Sequence, residues 1–263
     1  MLCADSDKRG YKMLRSVIIA FSMYSRIPMP KTEWDERAMR YAMCFFPLVG
    51  AVLGAAAFCA AALMNALGAG TLLFSAVMTA LPIILTGGIH MDGFIDTSDA
   101  AASYADKEKR LEILKDPHIG AFSVIYTAVY FVLMMGIWSE ATAPDIPVIA
   151  IGCILSRSLS GLSVVKFPLA KNTGLAAAFS SAADKKRTAA VLVVWAAAAV
   201  CASVFIDARR GIAMTFAALV VFFIYRYTSV RRFGGITGDL AGWFLQICEG
   251  AVAAAVIAAG RFL

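Results

Sequence analysis

Three aspartates, Asp92, Asp96 and Asp99, follow the end of a long apolar stretch. Their spacing of four and three residues places the three side chains on one face of a helix. Carboxylates this close repel one another, and a hard divalent cation such as Mg²⁺, which prefers oxygen ligands, would stabilise them. The alternative is a solvated helix start, where aspartate is common because of the helix dipole. We favour the metal site because acids at a membrane edge usually have a function.

Histidines and basic residues accompany these acids. Both histidines of the chain, His90 and His118, lie at the ends of a segment that contains seven of the eighteen acidic residues. Lys115, Asp116 and His118 belong to a predicted turn directly before an apolar stretch, and we treat them as candidate site residues. The preceding residues, 106–114, are predicted to form a helix with a solvated, mixed-charge face. Carboxylates beside basic residues suggest phosphoryl transfer, in which a metal neutralises phosphate oxygens and Lys or Arg binds the rest.

Two charged residues lie inside apolar stretches. Arg157 is in the middle of the fourth stretch, and Glu249 is about halfway along the last one. A buried Arg is costly in lipid, so it should face a cavity, a carboxylate or an anionic ligand. A glycine motif, GGITGD at 234–239, precedes the last stretch. Its glycines would allow backbone N–H groups to approach an anion at a helix start, although an ordinary loop also uses glycine.

The composition indicates an integral membrane protein. Hydrophobic residues make up 60% of the 263 residues and charged residues only 16%, whereas soluble proteins average about 45–50% and about 25%. The polar N-terminus does not resemble a cleaved signal peptide. The six cysteines are scattered, so we interpret them as small core residues. The net charge of +6 is better explained by membrane topology than by nucleic-acid binding.

Seven apolar stretches approach or exceed the roughly 17–25 residues that cross hydrocarbon as a helix. They are residues 42–67, 71–89, 120–138, 146–165, 188–206, 211–225 and 240–260. The sixth is the shortest, and it needs its flanking residues or local thinning of the membrane to span. A further short stretch, Met13–Tyr24, could span the membrane or lie in its interface. The predicted fold is therefore an all-α, polytopic membrane bundle of about seven transmembrane helices plus this short N-terminal helix. The motif of Gly50 and Gly54 predicts a close approach between two helices.

The distribution of charge predicts the orientation of the loops. The acidic connection 139–145 belongs outside, and the basic segments 166–187 and 226–239 belong inside, although Arg209 and Arg210 fall on the outer side. We therefore predict a single membrane-embedded domain, 1–263, whose polar segments share one face, in the cytoplasm. Its active-site segments are expected at about 26–41, 90–119, 166–187 and 226–239.

The ordered set of motifs resembles the cobalamin synthase family, the adenosylcobinamide-GDP ribazoletransferases. The resemblance rests on SRIPMP at 25–30, FPLVG at 46–50, GGIHMDGFIDTSD at 87–99, KDPHIGAF at 115–122 and GGITGDLAG at 234–242. The core His-x-Asp-Gly-x-x-Asp-x-x-Asp is the most specific part. The chain has Leu240 and Trp243 where the family commonly has Thr and a small residue.

The resemblance implies a reaction in which a hydroxyl of α-ribazole, or of its 5′-phosphate, attacks the pyrophosphate of adenosylcobinamide-GDP. Adenosylcobalamin, or its phosphate, forms and GMP leaves, with Mg²⁺ as the cofactor. His90 is the first candidate for the general base, since imidazole titrates near neutrality, although one of the aspartates could serve instead.

The resemblance also implies roles for other residues. The expected catalytic residues are His90, Asp92 and Asp96, the expected metal ligands are Asp92, Asp96, Asp99 and Asp239, and the expected substrate ligands are Lys115, His118, Arg157, Gly234, Gly235 and Arg26. Besides the two substrates, the expected partners are the lipid bilayer and, as candidates, other enzymes of the same pathway or a second copy of the chain. No nucleic acid is expected. The resemblance further implies that domain 1–263 is catalytic and lies in the cytoplasmic (inner) membrane of a prokaryote, with its active face in the cytoplasm.

Two other functions are less favoured. A phospholipid-type alcohol phosphotransferase would need Ala-Arg after the Asp-Gly pair, where this chain has Phe94 and Ile95. A transporter would carry its acids near the middle of the bilayer in broken helices. Only Arg157 and Glu249 have such a position, whereas the acid cluster lies at the end of a span.

Overall fold

The computed structural model of the protein describes residues 2–262, and describes side chains from residue 13 to residue 262. Within these residues the chain is helical, which confirms the predicted all-α fold. The α-helices are α1 (Leu2–Tyr24), α2 (Glu36–Met39), α3 (Phe46–Ala66), α4 (Thr71–Thr86), α5 (Ile89–Ala102), α6 (Lys107–Ile113), α7 (Ala121–Ser139), α8 (Asp145–Lys166), α9 (Leu175–Ala182), α10 (Lys185–Ile206), α11 (Ala208–Phe233) and α12 (Gly238–Phe262), and a 3₁₀ turn (Ala42–Phe45) precedes α3.

Six helices in the described part of the chain are long and apolar enough to cross a membrane. They are α3 with its 3₁₀ turn, α7, α8, α10, α11 and α12, while α4 and α5 make a seventh only if they are counted as one span bent by 98°. The predicted membrane bundle is thus confirmed, with a break in the second span. Gly87 and Gly88 have φ angles of 67° and 81°, a left-handed conformation that ends α4 and that glycine adopts without strain.

The sixth span extends into the residues that flank its short apolar stretch, one of the two ways in which the sequence allows it to cross the membrane. Helix α11 contains 26 residues and extends beyond both ends of the apolar stretch 211–225. At its start, the carboxylate of Asp207 accepts a hydrogen bond from the amide of Arg210 (3.0 Å) and caps the helix. At its end, Arg231 and Arg232 favour helix formation, and their positive charges interact favourably with the negative end of the helix dipole. Charged residues therefore end the apolar run without ending the helix.

Arg210, one of the two basic residues predicted on the outer side of the membrane, is paired with acidic side chains. Its guanidinium lies 2.8 Å from the carboxylate of Asp145 and 2.5 Å from that of Asp207. The charge of Arg210 is thereby compensated within the protein, whereas Arg209 is exposed.

Small residues bring α3 against α8, which is the most buried of the long helices. A Cβ atom added to Gly50 or Gly54 would collide with the backbone of Cys153 or Ala150, respectively. The close helix approach predicted from the Gly50 and Gly54 motif is therefore present.

The short apolar stretch Met13–Tyr24 is the second half of α1. It is too short to count as a span in the described chain, and α1 packs on α2, the 3₁₀ turn and α3. Arg15 forms an ion pair with Asp35 (3.1 Å), and the Ser16 hydroxyl donates to the carbonyl oxygen of Ala38 (2.7 Å). These contacts attach α1 to the segment that leads into the first span.

Candidate functional site

The segments that follow α8 and precede α12 pair with each other. Leu169 and Ile236 form an isolated parallel β-bridge. The amide of Ile236 donates to the carbonyl oxygen of Pro168 (2.8 Å), and the amide of Ala170 donates to that of Ile236 (3.0 Å). Two of the four segments predicted to form the active face are therefore joined by backbone hydrogen bonds.

The other two segments meet the same end of the bundle. The Arg232 side chain donates to the carbonyl oxygen of Ala101 (3.3 Å), which connects the end of α11 to the end of α5. Arg40, before the first span, pairs with Asp184 at the start of α10 (3.4 Å). The four polar segments thus lie together at one end, and the orientation of that end toward the cytoplasm stays a prediction.

Two glycines hold α5 against the first turn of α12. A Cβ atom on Gly93 would lie 2.6 Å from the carbonyl oxygen of Asp239, and one on Gly242 would lie 3.0 Å from that of His90. No side chain fits between the two backbones at these points. This contact brings Asp239 beside the aspartates of α5, although the two groups are far apart in sequence.

The four predicted metal ligands are neighbours. Asp96 lies within electrostatic range of Asp92, Asp99 and Asp239. Lys171, from the basic segment 166–187, acts electrostatically on Asp239. Four carboxylate groups fit the oxygen chemistry of a hard divalent cation. They do not converge on one point, since no group of three or more His, Cys, Asp or Glu side chains within residues 13–262 is close enough to hold a metal ion.

Asp99 also contacts the start of another helix. Its carboxylate lies directly against Gly120 at the start of α7, where a Cβ atom would collide with it. Binding of one cation by all four carboxylates would therefore require side-chain movement. The metal role of Asp92, Asp96, Asp99 and Asp239 stays a prediction.

A cavity of about 290 Å³ opens beside the acids. His90, Asp92 and Asp239 line its polar side, and Tyr24 and Phe46 belong to its apolar wall. The His90 side chain is only 4% exposed, and its Nε2 atom has no hydrogen-bond partner among the described residues. The Tyr24 ring lies nearly parallel to the imidazole, with 6.1 Å between centroids, and Phe46 meets it edge-on at 6.2 Å. An aromatic enclosure with one unpartnered imidazole nitrogen can hold a flat ring and accept a proton.

Lys115 and His118 lie in an exposed turn outside this cavity. The His118 ring is 89% exposed, and its Nδ1 atom lies 2.7 Å from the Asp116 carboxylate. The backbone amide of His118, followed by its ring, holds the pKa of Asp116 below its usual value. The turn ends at Gly120, beside Asp99, so it borders the site without lining it. Substrate binding by Lys115 and His118 stays a prediction.

Arg157 is buried in an ion pair with Glu249. Its side chain is 1% exposed, and one guanidinium nitrogen also donates to the Ser156 hydroxyl (3.1 Å). The sequence predicts that Arg157 faces a cavity, a carboxylate or an anionic ligand, and in the structure it faces a carboxylate. Arg157 is also within electrostatic range of His90, and its role toward substrate stays a prediction.

The backbone structure explains the two glycines at the start of the 234–239 motif. Gly234 has a φ angle of 80° and ends α11, and a Cβ atom on Gly235 would lie 2.6 Å from the carbonyl oxygen of Pro168. The amide of Gly235 donates to the carbonyl oxygen of Ser229 (3.0 Å), and that of Ile236 is used in the bridge. These amides are therefore already bonded, and anion binding by Gly234 and Gly235 stays a prediction.

Arg26 lies against the turn that separates α4 from α5. Its amide donates to the carbonyl oxygen of Leu85 (2.7 Å), and a Cβ atom on Gly87 would lie 2.7 Å from its Cγ atom. The side chain is exposed beside the start of α5. Arg26 is therefore close to the site, and its contact with substrate stays a prediction.

Ser160 and Leu245 also line the cavity, and neither could be predicted from the sequence. Neither residue carries a local signal, because serine and leucine are common throughout the spans.

Comparison with known proteins gives a consistent result. A family model described as cobalamin-5-phosphate synthase matches residues 16–257. The chain is 46% identical over 248 residues to the adenosylcobinamide-GDP ribazoletransferase of Lachnoclostridium phytofermentans, covering 94% of this chain and 95% of that protein. It is 31% identical to the protein of the same name from Clostridium perfringens (89% and 94% covered) and 32% identical to that of Geobacillus kaustophilus (87% and 90%). No solved structure matches the chain significantly. The chain therefore belongs to the cobalamin-5-phosphate synthase family, which confirms the resemblance inferred from its motifs.

Proposed function

We propose that the protein is an adenosylcobinamide-GDP ribazoletransferase. A ribose hydroxyl of α-ribazole, or of its 5′-phosphate, attacks the cobinamide-linked phosphorus of the pyrophosphate. A new P–O bond forms, the bond between the two phosphates breaks, and GMP leaves. The observation that carries this proposal is the contact between α5 and α12, which places His90, Asp92 and Asp239 around one cavity in a chain of this family.

The cavity supports an assignment of the smaller substrate. A volume of about 290 Å³ suits the flat base of α-ribazole with part of its ribose, and the corrinoid is far too large for it. Tyr24 and Phe46 would contact the base through their rings. The corrinoid would then remain outside, with its pyrophosphate near the acids.

The polar residues have distinct roles in this proposal. The Nε2 atom of His90 would accept the proton of the attacking hydroxyl, because it has no hydrogen-bond partner among the described residues and His90 lines the cavity. Asp92, Asp96, Asp99 and Asp239 would hold Mg²⁺, which supplies charge neutralisation at the pyrophosphate when it is bound. Lys171 acts electrostatically on Asp239, and Arg26 lies against Gly87 in the α4–α5 turn. Both would bind phosphate oxygens.

The membrane orientation belongs to the same proposal. The site end of the bundle carries Lys166, Lys171, Lys185, Lys186, Arg187, Arg226, Arg231 and Arg232. An excess of basic residues favours the cytoplasmic side, where nucleotide-linked substrates are available. We therefore place the protein in the cytoplasmic membrane with its site toward the cytoplasm.

The test is GMP release by the purified protein in liposomes. We expect GMP release from adenosylcobinamide-GDP only when α-ribazole and Mg²⁺ are both present. In Asp92→Asn the rate of GMP release should fall at least a hundredfold. Glu108→Gln is the matched control, because it removes one charge from an exposed position of the same segment. Full Mg²⁺-dependent activity of Asp92→Asn would contradict the metal role. Solute flux without GMP release would favour a transporter, which the broken α4–α5 span would then serve.

A further inference from the structure

A second cavity, of about 820 Å³, lies on the other side of the 3₁₀ turn from the site. Met43 and Phe46 face the site cavity, whereas the neighbouring residues Cys44, Phe45 and Leu48 line the second one. The turn and the start of α3 therefore form a wall between two separate spaces. We refer to the second space as the arginine cavity, because Arg37, Arg40 and Arg187 line it.

One end of the arginine cavity is strongly basic. Arg40 and Arg187 are exposed, and they approach the Asp184 carboxylate at 3.4 and 3.6 Å. The Arg187 guanidinium also donates to the Tyr41 hydroxyl (3.2 Å). Arg40 and Arg187 share the Asp184 carboxylate, and Arg37 is within electrostatic range of Asp35, which already pairs with Arg15. Positive charge is therefore in excess at this end of the cavity, which favours an anion. Guanidinium groups bind phosphate oxygens well because they offer several parallel N–H donors.

The rest of the arginine cavity is apolar and follows two candidate spans. Phe45 and Leu48 line it from the 3₁₀ turn and α3, and Val191 and Trp195 line it from α10. Arg187 and Trp195 are eight residues apart on α10, which is about 12 Å along a helix. The cavity thus runs from a charged end into the region that hydrocarbon would occupy, and Trp195 has the amphipathic character typical of the membrane interface.

We propose that the arginine cavity binds an anionic phospholipid. The phosphate would lie between Arg37, Arg40 and Arg187, and an acyl chain would lie along Leu48, Val191 and Trp195. A soluble phosphate or nucleotide would use only the basic end, whereas a phospholipid matches both halves. Basic pockets at the ends of membrane helices are suited to acidic lipid headgroups. Bound lipid would pack against the side of this wall that is opposite to Met43 and Phe46, which line the site cavity.

Quenching of tryptophan fluorescence tests the proposal in the full-length protein. The probes are vesicles that contain dibrominated phosphatidylglycerol or dibrominated phosphatidylcholine, whose bromine atoms quench nearby tryptophan. We expect stronger quenching by the anionic lipid, and we expect this preference to disappear in Trp195→Phe. The double variant R40Q/R187Q should lower the apparent affinity for the anionic lipid about tenfold or more.

The control K185Q/K186Q also removes two positive charges, from the turn of α10 that contains Arg187, at residues that do not line the cavity. Its preference for anionic lipid should remain, and an equal loss in both double variants would overturn the proposal in favour of general surface attraction. Competition by millimolar inorganic phosphate would also overturn it, because the site would then bind a soluble anion. Val191→Phe fills part of the apolar half without changing charge or adding a tryptophan, and it should also weaken the preference if the fold is retained. None of these outcomes depends on the proposed enzymatic activity.

Discussion

Gly93 of α5 packs directly on the backbone of Asp239 in α12. A Cβ atom on Gly93 would lie 2.6 Å from the carbonyl oxygen of Asp239 and 2.9 Å from its Cα atom. The contact therefore fixes how close the aspartates of α5 can come to Asp239. It is possible only because residue 93 has no side-chain methyl group.

Gly93→Ala is expected to separate α5 from α12. We expect overpacking to cost about 1–3 kcal/mol of stability and GMP release to fall at least tenfold, measured with thermal unfolding and the liposome assay. Gly136→Ala is the control, because it lies within helix α7 with no described atom within 4 Å of an added Cβ. It should be neutral or slightly stabilising, since alanine favours a helix. Equal effects of the two substitutions would show that the α5–α12 contact is not critical.

Tyr24→Ala is expected to weaken the binding of α-ribazole. The phenol ring lies nearly parallel to His90 and lines the site cavity, so its loss should raise the KM for α-ribazole about 3–10-fold. The KM for adenosylcobinamide-GDP should change little, because the corrinoid lies outside the cavity. Tyr24→Phe retains the ring and should behave like the wild type. A selective rise in the KM for the corrinoid substrate would reverse the assignment of the cavity.

Asp96→Asn is expected to stabilise the protein when Mg²⁺ is absent. Asp96 interacts with Asp92, Asp99 and Asp239, so neutralising it removes like-charge repulsion of about 1 kcal/mol. Thermal unfolding in EDTA should therefore show a higher Tm for the variant than for the wild type. Added Mg²⁺ should raise the Tm of the wild type and have less effect on the variant. A lower Tm for the variant in EDTA would mean that the acids do not repel one another.

Asp207 is expected to make the stability of the protein depend on pH. The amide of Arg210, followed by its side chain, holds the pKa of Asp207 below its usual value. A lowered carboxyl pKa stabilises the folded state above the unfolded pKa of about 3.9. This contribution is lost as the pH falls through the lower folded pKa.

Two substitutions separate the helix cap from the charge of Asp207. Asp207→Ala should lose about 1 kcal/mol at neutral pH because α11 loses its cap. Asp207→Asn keeps an acceptor for the Arg210 amide and should lose less. The stability difference between wild type and Asp207→Asn, measured by unfolding between pH 3 and 7, should shrink at the acid end. A difference that grows toward low pH would contradict the direction of the pKa shift.

Several features follow from local sequence alone. The apolar composition determines a membrane bundle, and the spacing of Asp92, Asp96 and Asp99 correctly predicts a helix, because helical periodicity depends only on neighbours along the chain. The helix over 106–114 and the turn before α7 are also local features, and both are present. The length of α11 could not be predicted from apolar residues, since Arg226, Arg231 and Arg232 end the apolar run and continue the helix.

Only the tertiary structure decides which distant residues meet. Asp239 joins the acids of α5 because Gly93 and Gly242 let two helices touch. Tyr24 and Phe46 enclose His90 because α1 ends beside the start of α3. Arg157 meets Glu249 because α8 and α12 are neighbours in the bundle. These contacts join residues that are far apart in sequence, so they depend on how whole helices pack, which no local pattern specifies.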